Sequence, residues 1–242
     1  MTTGERIRIY EQQPLLDVAG ETIRPGGLEL TDRALGFCAL PAGARVLDVG
    51  CGPAASVAHL IERHHLAAIG VDPSMLLLQA GRRRHESMPL AQAPGEYLPF
   101  AANQVDAVLT ECSLSVMADP ERALAEFRRV LRVNGYLIMS DVYARNPERV
   151  AALRRLPINS CLSGAMLQAE VIERVVAHGY AVKLWEDHTN ALKIFTARLI
   201  WSHGSMQQFW CQTVPSRGDA ADIQTAIAQS KPGYYLLVAQ KI

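Results

Sequence analysis

A glycine-rich turn that joins an apolar run to a helical pattern is the feature that most constrains this fold. Residues Ala44–Ser56 read ARVLDVGCGPAAS. The apolar residues Val46, Leu47 and Val49 predict a buried strand, and the spacing after the glycines predicts a helix over about 54–65. A strand, a glycine turn and a helix bring backbone N–H groups close to a nucleotide-like ligand. Glycine is needed there because a Cβ would block both the turn and the approach of the ligand.

Strand and helix patterns alternate along the rest of the chain. Further strands are predicted at Ala67–Val71, within 88–93, and at Val105–Thr110, Tyr136–Ser140, Ala181–Trp185 and Gly233–Gln240. Helices are predicted up to Arg84, from Asp119-Pro120 to Asn134-Gly135, over about 167–178 and over about 191–210. This alternation predicts an α/β fold, in which a parallel sheet carries helices on both faces.

Composition limits the class of partner and the compartment. The 242 residues are 49% apolar and 20% charged, and 24 basic side chains balance 24 acidic ones. We therefore expect no nucleic-acid partner and no membrane partner. No apolar run approaches the ~20 residues of a membrane span, and the charged N-terminal stretch does not resemble a signal peptide. Five widely spaced cysteines favour reduced thiols, hence a cytoplasmic protein, and we expect a monomer or homodimer.

Acidic residues follow several of the predicted strands. Ligands of open α/β sheets bind beyond the carboxyl ends of the strands, where this chain places Asp48, Gly50, Gly52, Asp72, Glu111, Cys112, Asp141, Glu186, Asp187 and His188. An acid about 20 residues past the glycine turn is suited to bind two ribose hydroxyls, which makes Asp72 the candidate ribose ligand. The Asp72-Pro73 pair is also typical of a simple turn.

An ordered series of segments carries a family resemblance. The segments VLDVGCGPA, GVDPSMLL, YLPF, VDAVLTE and FRRVLRVNGYLIMSD resemble the motif series of class I S-adenosylmethionine-dependent methyltransferases over about residues 40–142. The resemblance implies a Rossmann-like sheet of seven strands, mostly parallel, whose antiparallel last strand would be GYYLLVAQ. It also implies S-adenosylmethionine as the cofactor and S-adenosylhomocysteine as its product.

Matching positions give the candidate cofactor residues. They are Asp48, Gly50, Cys51 and Gly52 at the turn, Asp72 and Pro73 after the second strand, Gly95 and Glu96 near the adenine, and Glu111 after the fourth strand. The sequence departs from the family pattern at Ala54, where a third glycine is usual, and at Pro94, where an acid often contacts the adenine. Tyr10 and the turn at 24–27 are candidates to close over the methionyl end.

The resemblance also divides the chain. We expect a single methyltransferase domain over 1–242, because no shift in composition marks a second one. Residues 1–40 would form an N-terminal helical cap, 41–142 the cofactor-binding core, and 143–242 the substrate-side elements and the last strands.

Two cysteines are candidates for the acceptor site. The segments TECSLSVMADPERALAEFRRVLRVNGYLIMSD and SCLSGAMLQAEVIERVVAHGY are similar to segments of arsenite methyltransferases. That similarity implies Cys112 and Cys161 as thiolate ligands of a metalloid, and soft thiolates suit a soft centre. The sequence departs from that family at Val57, which replaces a cysteine, while Cys211 aligns too weakly to assign. Free cysteines are also commonly small buried hydrophobic residues.

Histidine supplies one further candidate. His188 follows the sixth predicted strand, and Glu186 or Asp187 would fix its tautomer if it acted as a base. A histidine in such a loop is also commonly just hydrogen-bonded. His64 and His65 are expected at the surface or in packing. We expect no resident metal ion, because no paired-cysteine motif is present.

These observations leave three functions open. The leading one is an S-adenosylmethionine-dependent methyltransferase (EC 2.1.1.-) that acts on a small-molecule acceptor, with a thiol or a metalloid among the candidates. The second is a non-catalytic module that binds the cofactor without transferring its methyl group. The third is a nucleotide-dependent oxidoreductase, which is disfavoured because the turn lacks a spaced third glycine and the chain lacks a second mononucleotide half.

Overall fold

A sheet of eight strands, seven of them in one continuous order, forms the centre of the computed structural model. The structure describes residues 6–85, 87–214 and 217–242, without the side chains of 217–219. The seven strands are β1 (Arg45–Val49), β2 (Ala67–Asp72), β3 (Leu90–Gln92), β4 (Val105–Glu111), β5 (Leu131–Ala144), β6 (Tyr180–Asp187) and β7 (Gly233–Lys241). Their order is β3-β2-β1-β4-β5-β7-β6, and β7 runs antiparallel to both neighbours. The predicted α/β sheet with an antiparallel last strand is confirmed. Residues 1–5 of the predicted N-terminal cap lie outside the described residues.

Helices cover both faces of this sheet. They are α1 (Gln13–Ala19), α2 (Gly27–Cys38), α3 (Ala55–Glu62), α4 (Met75–Arg84), α5 (Pro120–Val130), α6 (Val150–Leu153), α7 (Gln168–Ala177), α8 (Thr189–His203), α9 (Met206–Thr213) and α10 (Arg217–Ser230). Two-residue strands add to the framework: Met166–Leu167 pairs with β5, and Ile7–Arg8 pairs with Ile158–Asn159. Among the described residues, no helix is both long enough and apolar enough to cross a bilayer.

The core has two parts because side chains of a strand alternate between the faces of a sheet. Val46 of β1 packs into the part that α2, α3, α9 and α10 cover, whereas Leu47 and Val49 pack into the part under α5 and α7. All three side chains are buried. The apolar run of β1 is therefore explained by burial on both faces, which is typical of a central parallel strand.

The largest difference from the predicted elements lies between α5 and β5. The helix begins as expected, with Asp119 as N-cap and Pro120 at its first position, but it ends at Val130 and β5 begins at once. The predicted helix end at Asn134-Gly135 is wrong. Asn134 instead takes a left-handed conformation (φ 63°) inside the strand. A Cβ on Gly135 would lie 2.9 Å from the backbone oxygen of Arg132, so this close approach requires glycine.

The C-terminal region also differs from its prediction. The helix expected over about 191–210 is divided at Gly204 into α8 and α9. Gly204 has a φ of 82°, a left-handed conformation that ends helices, and Ser205 then caps α9. Helix α10 was not predicted.

Candidate cofactor and acceptor site

The glycine turn after β1 has the geometry that its sequence predicts. Gly50 and Gly52 have φ values of 80° and 53°. A Cβ on Gly50 would lie 2.2 Å from Ser113 Oγ, so the backbone here must pack closely against the end of β4. A Cβ on Gly52 would meet only Leu77 Cδ1 at 3.9 Å, so the limit there is the positive φ.

Asp72 connects this turn to the next helix. Its Oδ2 accepts a hydrogen bond from the Gly52 N–H at 2.9 Å, and its Oδ1 accepts one from the Ser74 N–H at 2.7 Å. Ser74 in turn is the N-cap of α4. Burial raises the pKa of Asp72 above its usual value. Asp72 is thus a turn residue and, at the same time, part of the wall of a cavity.

A cavity of about 290 Å³, called the cofactor cavity below, opens at this turn. Eight of the nine predicted cofactor residues line it, namely Gly50, Cys51, Gly52, Asp72, Pro73, Gly95, Glu96 and Glu111. The ninth, Asp48, is 2% exposed and does not belong to that lining. Its Oδ2 has no hydrogen-bond partner among the described residues, and burial raises its pKa well above the usual value. A buried carboxylate oxygen without a donor is costly, so burial favours the protonated form of this carboxyl.

Glu111 at the end of β4 anchors the N-terminal part of the chain. Its Oε2 lies 2.8 Å from Arg24 Nη2, and both side chains are at most 7% exposed. The hydroxyls of Thr31 and Ser56 donate to the same carboxylate at 3.0 and 3.2 Å. Arg24, Thr31 and Ser56 were not predicted as partners of Glu111, because they come from three elements that are remote in sequence.

Glu96 is held by the loop before α5. Its Oε1 accepts hydrogen bonds from the N–H groups of Ala118 at 2.8 Å and Asp119 at 3.2 Å. A Cβ on Gly95 would lie 2.8 Å from Met117 Sδ. Both residues line the cofactor cavity, and their contact with an adenine stays a prediction.

A second cavity, of about 420 Å³, adjoins the first and is called the acceptor cavity below. The two share Tyr10, Ile23, Cys112 and Val116 in their walls. The acceptor cavity is mainly apolar, with side chains that include Ile9, Leu15, Leu162, Leu192, Phe195, Leu199, Met206, Phe209, Trp210 and Ile227. Its few polar side chains are Ser160, Thr189, Lys193, Thr196 and Gln224.

Cys112 lies at the boundary of the two cavities. It has a φ of 52°, which is rare for a residue with a Cβ, and its Sγ lies 3.2 Å from the hydroxyl of Tyr234. The Sγ atoms of Cys112 and Cys161 and a carboxylate oxygen of Asp141 all lie within 4.8 Å of one another. The neighbouring Cys161 and burial raise the pKa of the Cys112 thiol well above its usual value. The structure therefore brings together the two cysteines that the sequence singled out.

Asp141 is the buried acid beside this thiol pair. Its carboxylate accepts hydrogen bonds from the N–H and hydroxyl of Ser115, at 3.2 and 2.9 Å, and from the Val142 N–H at 2.8 Å. Burial nevertheless raises the pKa of Asp141 to about 7. A carboxyl group with this pKa exchanges protons near neutral pH.

His188 lies apart from this arrangement. It belongs to the lining of neither cavity, and its Nε2 is 3.0 Å from Glu186 Oε2. Glu186 also binds Arg33 of α2, so the histidine belongs to a surface ion-pair group. Its predicted role as a base receives no support from this position. Cys211 is exposed and also lies outside both linings.

Comparison with known proteins gives one family match. Residues 47–139 match the family model described as "Methyltransferase domain". The uncharacterized methyltransferase YodH of Bacillus subtilis is 33% identical over 145 residues, which cover 58% of this chain and 60% of YodH. The matched regions span 30% to 60% of the first curated relatives.

Solved structures agree on the fold. The [4+2]-cyclase SpnF is 23% identical, has a TM-score of 0.75, and the match covers 96% of this chain and 93% of SpnF. Phosphoethanolamine N-methyltransferase 2 of Haemonchus contortus, solved with S-adenosyl-L-methionine, is 17% identical with a TM-score of 0.73, and the match covers 94% and 56% of the two chains. Residues 47–139 thus match a methyltransferase domain, within a chain that has the Rossmann-like fold of methyltransferases.

Proposed function

We propose that this chain is an S-adenosylmethionine-dependent methyltransferase that acts on a small, largely apolar acceptor. One observation carries the proposal: a cavity with acidic wall residues at the glycine turn adjoins a more apolar cavity, and the two share four wall residues. A donor in the first cavity and an acceptor in the second would meet at Cys112. Methyl transfer needs this proximity, because donor and acceptor must be in line.

The cofactor cavity fits a cationic nucleoside. S-adenosylmethionine carries positive charge on its sulfonium and its ammonium group and presents a ribose diol. Asp72 and Glu111 give the cavity wall acceptor oxygens. Gly52 leaves space above the turn for a ligand to approach the backbone. When bound, the cofactor would supply the methyl group.

The chain's own contribution is binding and exclusion of water. The residues of the cofactor cavity would hold the donor, which would supply an electrophilic methyl group to the acceptor. Tyr10 and Ile23 of the N-terminal segment belong to both walls, so they would shield the boundary from solvent. Asp141, with a pKa of about 7, lies outside both linings but within 4.8 Å of the Sγ atoms of Cys112 and Cys161, so it would take a proton from an acceptor only through those thiols.

Binding of S-adenosylhomocysteine tests the donor half of the proposal. Replacing Asp72 by Asn removes charge-assisted hydrogen bonds worth about 1.5–3 kcal/mol, so we expect calorimetric affinity to fall about 10- to 100-fold. Asp106→Asn is the matched control, because Asp106 pairs with Arg132 and the Arg45 N–H outside both cavities. Circular dichroism melting checks that each variant is folded. Equal affinity in Asp72→Asn and wild type would contradict the proposed ribose site.

Methyl transfer itself is tested with S-adenosylmethionine labelled in its methyl carbon. We expect label in an apolar alcohol, phenol or amine and release of S-adenosylhomocysteine. A fold alone does not set the reaction, and one neighbour with this fold is named as a cyclase. Cofactor binding without transfer to any acceptor of a broad panel would favour the non-catalytic module instead.

A thiol or metalloid acceptor is the second candidate. The thiol pair Cys112 and Cys161 beside Asp141 supports it, since trivalent arsenic prefers sulfur ligands. We expect one equivalent of arsenite to bind under reducing conditions if this candidate is correct, and no binding after Cys112→Ser or Cys161→Ser. Wild-type protein that does not bind arsenite would eliminate the metalloid acceptor and leave the apolar acceptor in place.

A further inference from the structure

A second group of ligand-type side chains lies outside both cavities, where α2 faces the end of α3. Asp32 belongs to α2, His59 to the last turn of α3, and His64 follows two residues after that helix. The Nε2 atoms of His59 and His64 each lie 2.6 Å from the same oxygen, Asp32 Oδ1. The proposed function uses none of the three.

We propose that Asp32, His59 and His64 bind a divalent transition-metal ion of the zinc type. Zinc is commonly held by three protein ligands drawn from imidazole nitrogen and carboxylate oxygen, with water in a fourth, tetrahedral position. Two imidazoles and one carboxylate already converge here, and their ring planes are 72° apart rather than stacked. The donor set favours zinc over magnesium or calcium, which prefer oxygen ligands.

The contacts change little when a metal enters. In the metal-free protein each neutral imidazole donates its Nε2–H to Asp32 Oδ1. Metal binding uses the Nε2 lone pairs, so each ring proton moves to Nδ1 by exchange with solvent. Ligand atoms around tetrahedral zinc are about 3.3 Å apart, so the present 2.6 Å contacts open by less than about 1 Å.

The site is accessible but shaped by the fold. The side chain of Asp32 is 47% exposed, whereas those of His59 and His64 are 17% and 27% exposed. The ion therefore has an entry path through solvent, while both rings are largely held by packing. The sequence did not reveal the site, because Asp32 belongs to a different helix from His59. In addition, His64 comes close to His59 only because α3 ends between them. The sequence prediction placed His64 at the surface or in packing and did not include its contact with Asp32.

The site joins two helices that also hold the cofactor cavity. Thr31, next to Asp32 on α2, and Ser56 on α3 both donate to the carboxylate of Glu111. A metal that bridges α2 and α3 therefore stabilises the arrangement around Glu111, and its effect on melting temperature is measurable without any methyl transfer.

Titration of the full chain with Co²⁺, after chelation and removal of the chelator, tests the proposal. We expect one equivalent of ion with the visible spectrum of a tetrahedral site and without sulfur-to-metal charge transfer. Loss of a group that only orients a ligand costs about 10- to 100-fold in affinity, so Asp32→Asn and His64→Gln should each lose at least about tenfold. Zn²⁺ should raise the melting temperature of wild type and not of these variants.

Two controls separate this site from others. His65→Asn changes an exposed histidine next to the site, and asparagine tolerates the positive φ of 55° at this position. The Co²⁺ affinity of this variant should equal that of wild type. Cys112→Ser with Cys161→Ser removes the thiol pair and should also leave the titration unchanged. Equal Co²⁺ affinity in wild type, Asp32→Asn and His64→Gln would overturn the proposal, as would the absence of binding to folded wild type at millimolar Co²⁺.

Discussion

Single residues of this site adopt conformations that their side chains disfavour. Cys112 has a φ of 52°, and Ala54, which replaces the third glycine of the motif, has a φ of 68°. Each such conformation costs about 1–3 kcal/mol and persists only where the surroundings enforce it. Ala54 is buried completely against α4, which fixes it despite its Cβ. The sequence identified Ala54 as a departure, but only the packing explains how the turn accommodates it.

Asp141 makes stability depend on pH at the residue scale. Its pKa of about 7 exceeds the ordinary 3.8, so the folded state binds a proton more tightly than the unfolded state. The stability it contributes is fully present below pH ~4 and is lost as pH rises towards 7. In wild type we expect the Asp141 carboxyl to lower the free energy of unfolding by a few kcal/mol between pH 4 and 8. The Asp141→Asn variant should lack this decrease.

Urea unfolding of wild type and Asp141→Asn at several pH values measures this difference. Asp48 and Asp72 are also buried and shifted in the same direction, but both proteins contain them, so the comparison isolates Asp141. The absolute stability of the variant also reflects lost hydrogen bonds, which do not depend on pH in this way. Parallel stability curves would contradict the expectation.

At the scale of elements, the sequence predicted the β1 turn, β2, β3 and the start of α5, because each has a local signal. The apolar run of β1, the N-cap Asp119 and the proline after it act within a few residues. The long strand β5 could not be predicted in full, because its first residues extend without a break from α5 and are fixed by pairing with β4. The thiol pair was predicted only through the family resemblance.

Helix α10 gives an element-scale prediction about the acceptor. Ala228 and Ala221 are both exposed on this helix, but only Ala228 also lines the acceptor cavity. Ala228→Trp should fill part of the cavity and reduce kcat/KM for an apolar acceptor at least about tenfold, a loss of 1–3 kcal/mol in binding. Ala221→Trp is the matched control.

Calorimetry with S-adenosylhomocysteine accompanies this kinetic comparison. Its affinity should be the same in both tryptophan variants, since Ala228 does not line the cofactor cavity. Unchanged kcat/KM in Ala228→Trp would place the acceptor elsewhere.

Across the whole molecule, the N-terminal segment is held to the sheet by a buried ion pair. Arg24 and Glu111 lie 2.8 Å apart, and removal of one partner leaves the other charge buried. Such a loss costs about 3–5 kcal/mol, so Glu111→Gln should weaken hydrogen-exchange protection in residues 9–38. Gln keeps one of the two acceptor oxygens that the hydroxyls of Thr31 and Ser56 use, so the variant loses the charge and one of these hydrogen bonds.

A second ion pair of the N-terminal segment serves as the control. Arg33 of α2 pairs with Glu186 at the surface, where a pair contributes about 0–1 kcal/mol. Glu186→Gln should therefore leave protection of residues 9–38 nearly unchanged. Equal loss in both variants would show that attachment of the N-terminal segment, and not burial of the charge, determines the effect.

Tyr10 and Ile23 form part of both cavity walls, and this has a thermodynamic consequence. A ligand in one cavity that orders these two side chains bears the entropic cost of ordering them, so a second ligand in the other cavity does not. The two affinities are then linked, and each ligand raises the affinity of the other by the same factor. In the proposed reaction, conversion of donor to product would change the charge in the cofactor cavity. The affinity of the acceptor cavity for its ligand would then fall, so release of the two products would be coupled through Tyr10 and Ile23.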